Sequence, residues 1–266
     1  MNEPRKKFKI VTDTRARVIL PNTLTLIGVC VGLSSINFAL NGNYKLSIIA
    51  ILFAAIIDGL DGRIARLIKG TSKVGKELDS LTDIISFGVA PSLIMYFWTL
   101  NSLGKIGWLI SLIYVVCVAL RLARFNINTE SEPSWKVNFF EGIPSPAGGI
   151  LVLSPLIYEM TDLKILPVEN QIITPFLFII ISIFLISKIP TYSLKKIVVP
   201  RSSTVFLLFG IILVFGLLLI FPFNVLFIGC VVYLLTIPLS IYHFYKTKKK
   251  NIYENNLDDQ EPEDVL

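Results

Sequence analysis

Apolar blocks of membrane-crossing length follow one another along most of this chain, and they constrain its fold more than any other feature. About 20 residues of α-helix cross the hydrocarbon core of a bilayer. Charged residues make up only 17% of the chain, against about 25% in a soluble domain. Eight blocks occur, at residues 19–40, 45–66, 80–100, 104–125, 144–161, 171–188, 203–221 and 223–244. We therefore predict an all-α, polytopic membrane protein with about eight transmembrane helices.

The positions of the basic residues predict how these helices are oriented. Of the 25 lysines and arginines, only Lys45, Lys105 and Lys164 fall on odd-numbered connections between blocks. Cytoplasmic segments carry an excess of Lys and Arg, so both termini and the even-numbered loops are expected in the cytoplasm. The expected location is the cell (inner) membrane. Topology and contact with anionic lipid headgroups explain the net charge of +6, and we expect no nucleic-acid partner.

Three regions are predicted along the chain. Residues 1–18 form a basic cytoplasmic arm, either disordered or lying on the membrane surface as an amphipathic helix. Residues 19–245 form the transmembrane domain, which would hold any catalytic site. Residues 246–266 form a charged cytoplasmic tail, and its acidic end, "NIYENNLDDQEPEDVL", is typical of disordered segments.

The segment "DGLDGRIARLIKGTSKVGKELDSLTD", residues 58–83, places acids at the edge of an apolar block. Asp58 directly follows the apolar run of residues 46–57. At 1.5 Å per residue, it lies roughly 18 Å along a span of about 30 Å, within the membrane near its cytoplasmic face. An unpaired carboxylate there costs at least ~2.5–3.5 kcal/mol, so such a residue indicates a functional site.

Helical spacing brings these acids into two groups. Asp58 and Asp61 lie three residues apart, Asp79 and Asp83 lie four apart, and each pair therefore shares one helix face. Residues 67–74 allow a turn, so an antiparallel pair of helices would point four carboxylates at one space. Four like charges need cations to neutralise them. Oxygen ligands in this number suit Mg²⁺ or Mn²⁺, and two ions could share them.

Small residues interleave with the acids on the same faces. Gly62 and Ala65 continue the first face and Gly75 precedes the second, which leaves room for close helix packing or for a ligand. Arg66 follows Ala65 and could clamp a phosphate through two hydrogen bonds. Carboxylates, metal and Arg beside small residues indicate a pyrophosphate site. Phosphoryl transfer at such a site depends on positioning and charge neutralisation.

Two other interpretations of this segment remain open. The acids could belong to a charged loop and pair with basic neighbours, namely Arg63, Arg66, Lys69, Lys73 and Lys76. They could also line a path for protons or cations, but blocks five, seven and eight offer almost no ionisable groups for a relay. His243 is the single histidine of the chain, which disfavours Ser-His-Asp and His-metal mechanisms.

The pattern Asp58-x2-Asp61-Gly62-x2-Ala65-Arg66-x8-Gly75-x3-Asp79-x3-Asp83 resembles the signature of the CDP-alcohol phosphotransferase family. The resemblance implies an integral membrane enzyme, usually a homodimer, that transfers a phosphatidyl-type group from a CDP-linked lipid to an alcohol. It implies that Asp58, Asp61, Asp79 and Asp83 bind divalent metal and that Asp83 is also the general base. It assigns Gly62, Ala65, Arg66 and Gly75 to the CDP moiety, and the nucleotide itself is known only from the resemblance.

Within this family, four stretches resemble the membrane-integral phosphatidylserine synthases of bacteria and archaea. They are "PNTLTLIGVCVGLSSI" (21–36), "ELDSLTDIISFGVAPSL" (77–93), "RLARFN" (121–126) and "FFEGIPSPAGG" (139–149). The resemblance implies CDP-diacylglycerol and L-serine as substrates and phosphatidylserine and CMP as products. The alternative acceptors are glycerol 3-phosphate and inositol.

The acceptor and the nucleotide would each need further contacts. Serine carries a carboxylate, so Arg121 or Arg124 at the cytoplasmic end of block four could bind it, assisted by Asn126. The alternative role of both arginines is to anchor the helix at the membrane surface by snorkelling. Asn22 and Thr23 could touch the nucleotide, but we expect them to cap the first helix.

Overall fold

A computed structural model describes residues 14–68, 70, 72–127, 139–162, 169–193 and 204–258, with side chains described from 19 to 249 of these. Its described part is almost entirely helical. The helices are α1 (Thr14–Leu40), α2 (Tyr44–Leu67), α3 (Lys73–Asp83), α4 (Ala90–Trp98), α5 (Lys105–Ile127), α6 (Ser145–Val152), α7 (Ser154–Glu159), α8 (Asn170–Ile186), α9 (Thr204–Ile220) and α10 (Pro222–Asp258). A π-helical segment, Ile84–Val89, joins α3 to α4, and a 3₁₀ turn, Leu100–Leu103, precedes α5.

Four of the described helices are long and apolar enough to cross a membrane. They cover Ile19–Leu40, Lys73–Trp98, Lys105–Ile127 and Pro222–Lys249. The helices α8 and α9 are apolar but have only 17 residues each. The helical membrane class is thus supported, whereas the count of eight spans is not confirmed and stays a prediction.

Two predicted helices have different bounds in the structure, and the chemistry of nearby residues explains both differences. The fifth block is two short helices, because Pro155 lacks an N–H and its ring would collide with the carbonyl four residues earlier. The third helix begins at Lys73 instead of residue 80, because the Ser72 side chain accepts a hydrogen bond from the Gly75 amide at 2.9 Å. The acids at 79 and 83 therefore lie within a helix.

The two predicted terminal regions lie partly outside the described residues. Helix α1 begins at Thr14, so the end of the predicted arm is helical, and residues 1–13 are not described. Helix α10 continues to Asp258, so the first part of the predicted disordered tail is helical instead. The apolar block and the basic "KTKKK" that follows it belong to one helix, since no helix-breaking residue separates them. Residues 259–266 lie outside the described range.

The buried core holds the acid-bearing helix in place. Phe87, Tyr114 and Phe178 are fully buried, and the rings of Tyr114 in α5 and Phe178 in α8 meet edge to face at 5.3 Å. Helix α4 adds Ile94 and Met95, both fully buried. Helix α1 packs along α2 and also against α3, the π segment and α4. It is therefore the element that both acid-bearing helices share.

A small antiparallel pair of strands was not predicted. Strand β1 (Phe139–Glu141) pairs with β2 (Pro190–Tyr192) and ties the chain before α6 to the end of α8. Gly142 follows β1 with φ +71°, and its amide donates to the Ile189 carbonyl at 2.8 Å. A Cβ there would lie 2.9 Å from three carbonyl oxygens, so this position requires glycine. Three-residue strands are too short to show an alternating pattern in the sequence.

Candidate active site

The predicted turn between the two acid-bearing helices is present. Helix α2 ends at Leu67 and α3 begins at Lys73, and both pack against α1. The three helices therefore enclose the faces that carry Asp58 and Asp61 on one side and Asp79 and Asp83 on the other.

The carboxylates meet between these helices. One oxygen from each of Asp58, Asp61 and Asp79 lies within 4.8 Å of the others, a spacing that could hold a metal ion. The carboxyl of Asp83 lies against that of Asp58. Asp61 is only 2% exposed, which does not fit a solvated loop whose acids pair with neighbouring lysines. The predicted gathering of acids is therefore observed.

The hydrogen bonding of these acids leaves oxygens available. Asp61 Oδ2 accepts a hydrogen bond from Thr25 Oγ1 in α1 at 2.6 Å. Among the described residues, Asp61 Oδ1 and Asp83 Oδ1 are buried and have no hydrogen-bond partner. Buried carboxylate oxygens without donors are costly alone and are satisfied by a hard divalent cation. The donor set thus fits Mg²⁺ or Mn²⁺.

A cavity of about 220 Å³ opens beside the acids, between α1, α2 and α3. It is lined by Pro21, Asn22, Thr25, Asp61, Gly62, Ala65, Arg66, Gly70, Ser72, Gly75, Lys76 and Asp79. All four residues that the family resemblance assigns to CDP are in this lining, together with two of the four acids. Their individual roles remain predictions.

Close approach of α1 and α3 shapes one wall of the cavity. A Cβ on Gly75 would lie 2.9 Å from Asn22 Oδ1, so a larger residue would push Asn22 away. Arg66 is exposed, and its Nε donates to the Gly62 carbonyl of its own helix at 3.0 Å. Arg66 also lines the cavity, where a phosphate could bind.

The sequence did not place Thr25 or Lys76 at the site, and it favoured a capping role for Asn22 over contact with the nucleotide. Asn22 was expected to cap the first helix, but α1 begins at Thr14 and Asn22 lies inside it, facing the cavity. Thr23 is no cap either, since its Oγ1 donates to the Ile19 carbonyl at 2.9 Å. Thr25 lies three residues after Asn22, a spacing that could have placed it on the same face. Lys76 was interpreted only as a loop charge.

Of the three residues predicted to bind serine, the structure brings Arg121 to the acids. Its guanidinium lies near Asp83, and its Nη1 donates to Ser145 Oγ at 2.5 Å. Arg121 Nε is buried and has no hydrogen-bond partner among the described residues. Tyr233 of α10 is close to Arg121 and was not singled out from the sequence. Arg121 thus keeps a donor free beside Asp83.

The other two residues have structural partners. Arg124 Nη1 donates to the Ile186 carbonyl at the end of α8, at 2.6 Å. Asn126 Nδ2 donates to Ser80 Oγ of α3 at 2.9 Å. Arg124 therefore caps a neighbouring helix, and Asn126 ties the end of α5 to the acid-bearing helix.

Several known proteins are similar to this chain. The chain is 45% identical over 144 residues to a protein named CDP-diacylglycerol–serine O-phosphatidyltransferase from Mycobacterium leprae. This match covers 53% of the chain and about half (48%) of that relative's length. It is 34% identical over 225 residues to the protein of the same name from Mycobacterium tuberculosis, covering 84% and 78%. An archaetidylserine synthase from Methanothermobacter thermautotrophicus is 30% identical over 177 residues, 65% of this chain and 69% of that one. Residues 18–242 match the family model described as CDP-alcohol phosphatidyltransferase. With most of its length matched, the chain belongs to the CDP-alcohol phosphatidyltransferase family.

Proposed function

We propose that this protein transfers a phosphatidyl group from CDP-diacylglycerol to L-serine, giving phosphatidylserine and CMP. The observation that carries the proposal is the meeting of Asp58, Asp61 and Asp79 within 4.8 Å, with Asp83 adjoining, beside a cavity of about 220 Å³. The names of the relatives support serine as the acceptor. Glycerol 3-phosphate and inositol are the alternative acceptors.

The reaction exchanges one phosphorus–oxygen bond for another. The serine hydroxyl oxygen forms a bond to the phosphorus that carries the diacylglycerol, and its proton passes to Asp83. The bond between that phosphorus and the bridging oxygen breaks, and CMP leaves with the electron pair. A divalent metal held by the four aspartates would neutralise the charge of the pyrophosphate.

The cavity residues would bind the nucleotide end of the donor. Gly62, Ala65 and Gly75 leave the backbone open to the CDP moiety, and Arg66 would turn from the Gly62 carbonyl to a phosphate. Lys76 lines the same cavity and adds a second positive charge. The acyl chains would enter sideways from the bilayer, because the acids lie next to membrane-spanning helices.

The acceptor would lie on the opposite side of Asp83 from the nucleotide. Arg121 adjoins Asp83 and has an unpartnered Nε, so it could bind the serine carboxylate. Ser145 holds the other end of the guanidinium through the hydrogen bond from Nη1. Arg124 and Asn126 would act indirectly by fixing the ends of α8 and α5.

The cellular setting follows from the charge pattern. We propose that the protein lies in the cell (inner) membrane, with both termini and the active site in the cytoplasm. The family resemblance supports a homodimer. The site would then face the soluble serine pool and the anionic headgroups of the inner leaflet.

Release of CMP tests the proposal. Purified full-length protein in lipid nanodiscs is given CDP-diacylglycerol with serine, glycerol 3-phosphate or inositol, each with Mg²⁺, with Mn²⁺ or with EDTA. We expect CMP and phosphatidylserine only with serine and metal. If CMP were released with another alcohol instead of serine, that alcohol would be the acceptor. A cation or proton transporter would release no CMP under any condition.

A matched pair of variants tests the acidic cluster. Asp79→Asn removes one metal ligand and is expected to lower CMP release by at least a hundredfold at moderate metal concentration. Glu77→Gln removes the same charge from an exposed position of α3 and is expected to change the rate less than twofold. Equal rates in the two variants would mean that the cluster does not hold the metal.

A further inference from the structure

The helix that carries Asp79 and Asp83 changes geometry immediately after Asp83. Residues Ile84–Val89 are π-helical, and the amide of Ala90 donates to the carbonyl of Ile85, five residues back. Helix α4 then continues in ordinary α geometry. Single π turns of this kind often lie at functional sites.

Pro91 and Tyr114 explain why the helix widens here. In an α-helix, the N–H of residue 91 would bond to the Phe87 carbonyl, but proline has no N–H and its ring collides with that carbonyl. Tyr114 of α5 supplies a donor instead, and its hydroxyl donates to the Phe87 carbonyl at 2.8 Å. Tyr114 is 0% exposed, so neither it nor this carbonyl can turn to water.

The neighbouring helices are packed against the π segment through glycines. A Cβ on Gly32 of α1 would lie 3.0 Å from the Cα of Ser86 and would collide with its hydroxyl. A Cβ on Gly149 of α6 would lie 3.1 Å from the Phe87 carbonyl oxygen. The wide turn is therefore enclosed on both sides at backbone distance.

The π segment sets the direction in which the acids point. One extra residue in a turn offsets the flanking helices by about 100°, the angle per residue at 3.6 residues per turn. The rotation of α4 is fixed because Ile94 and Met95 are fully buried in the core. Without the extra residue, Asp79 and Asp83 would turn away from the acids of α2.

We propose that Tyr114 is a positioning residue that maintains the π segment and thereby aims Asp83 and Asp79 at Asp58 and Asp61. It does not touch the reacting atoms and acts through the Phe87 carbonyl. The catalytic consequence rests on the proposed function, whereas the consequence for cation binding does not.

Tyr114→Phe tests this role because it removes only the hydroxyl and keeps the ring that packs on Phe178. Mn²⁺ binding to the full-length protein in nanodiscs is measured by electron paramagnetic resonance without substrate. We expect affinity about tenfold weaker than in wild type. The kcat for CMP release should fall at least tenfold, with the KM for serine within twofold. Tyr96→Phe makes the same change in α4, away from the acids, and should alter neither quantity more than twofold.

Unchanged Mn²⁺ affinity in Tyr114→Phe would overturn the proposal, even if its melting temperature falls, because a purely structural role predicts that result. Should Tyr114→Phe not fold, Pro91→Ala provides the second test. It restores an N–H for the Phe87 carbonyl, favours a regular α turn and should weaken Mn²⁺ binding similarly; unchanged affinity there would also refute the role. If wild type binds Mn²⁺ but releases no CMP with any alcohol, the proposed function fails while the Mn²⁺ comparison still decides on Tyr114.

Discussion

The hydrogen bond between Thr25 and Asp61 yields a quantitative prediction. Thr25 Oγ1 lies 2.6 Å from Asp61 Oδ2 and 3.1 Å from the Pro21 carbonyl, and both threonine and aspartate are buried. A hydroxyl has a single proton, so the shorter contact with the carboxylate is the one that it donates to. Thr25→Val keeps the shape of the side chain and removes this donor.

The size of the effect follows from the partners of Asp61. Its other oxygen, Oδ1, has no hydrogen-bond partner among the described residues, so the Thr25 hydroxyl is the side-chain group that orients the carboxylate. A hydrogen bond to a charged group contributes about 1.5–3 kcal/mol. At 1.4 kcal/mol per tenfold, we expect the half-saturating metal concentration to rise about 10- to 100-fold.

The assay is CMP release at increasing Mg²⁺ or Mn²⁺, with the direct Mn²⁺ titration as a second measurement. Thr23→Val is the control, because the Thr23 hydroxyl donates to the carbonyl of Ile19 in its own helix and lies outside the cavity. We expect Thr23→Val to shift the metal dependence less than twofold. Equal or tighter metal binding in Thr25→Val would refute the reasoning, because the hydroxyl would then not help Asp61 to bind the cation.

Two further predictions concern the transfer step. Asp83→Asn removes the proposed base and is expected to lower CMP release by about 10²- to 10⁴-fold while CDP-lipid binding, followed with a fluorescent analogue, persists; normal turnover in this variant would exclude Asp83 as the base. Arg121→Gln is expected to raise the KM for serine at least tenfold, because it loses the cation beside Asp83. Arg124→Gln should instead lower the melting temperature and leave the KM for serine within twofold, because it loses the hydrogen bond to the end of α8. If steady-state kinetics showed a raised KM for Arg124→Gln and an unchanged KM for Arg121→Gln, Arg124 would be the serine-binding residue and Arg121 the structural one.

The gathering of acids could be predicted because it depends on local spacing. Residues three and four apart share a helix face, and the polar stretch at 67–74 indicates a turn. Asp58, Asp61 and Asp79 accordingly meet. The small residues between them could be placed on the cavity side for the same reason.

The contacts that could not be predicted join distant parts of the chain. Thr25 and Asp61 are 36 residues apart, and their bond depends on how α1 packs on α2. Arg121 and Arg124 are indistinguishable in the sequence, because the rotation of α5 that separates them is fixed by buried residues such as Tyr114. The number of membrane spans is equally difficult to predict from the sequence, because apolar content alone does not distinguish a long crossing helix from a 17-residue helix such as α8.

Helix α9 has a consequence for the lipid that surrounds the protein. None of its 17 residues is buried, and a single residue, Phe221, links it to α10. At 1.5 Å per residue it rises about 25 Å, against about 30 Å of hydrocarbon in an average bilayer. As the predicted seventh span, α9 would require the lipid beside it to compress by a few ångströms, at a cost of fractions of a kcal/mol per ångström. Thinner bilayers of shorter acyl chains should accordingly suit this protein better than thick, saturated ones.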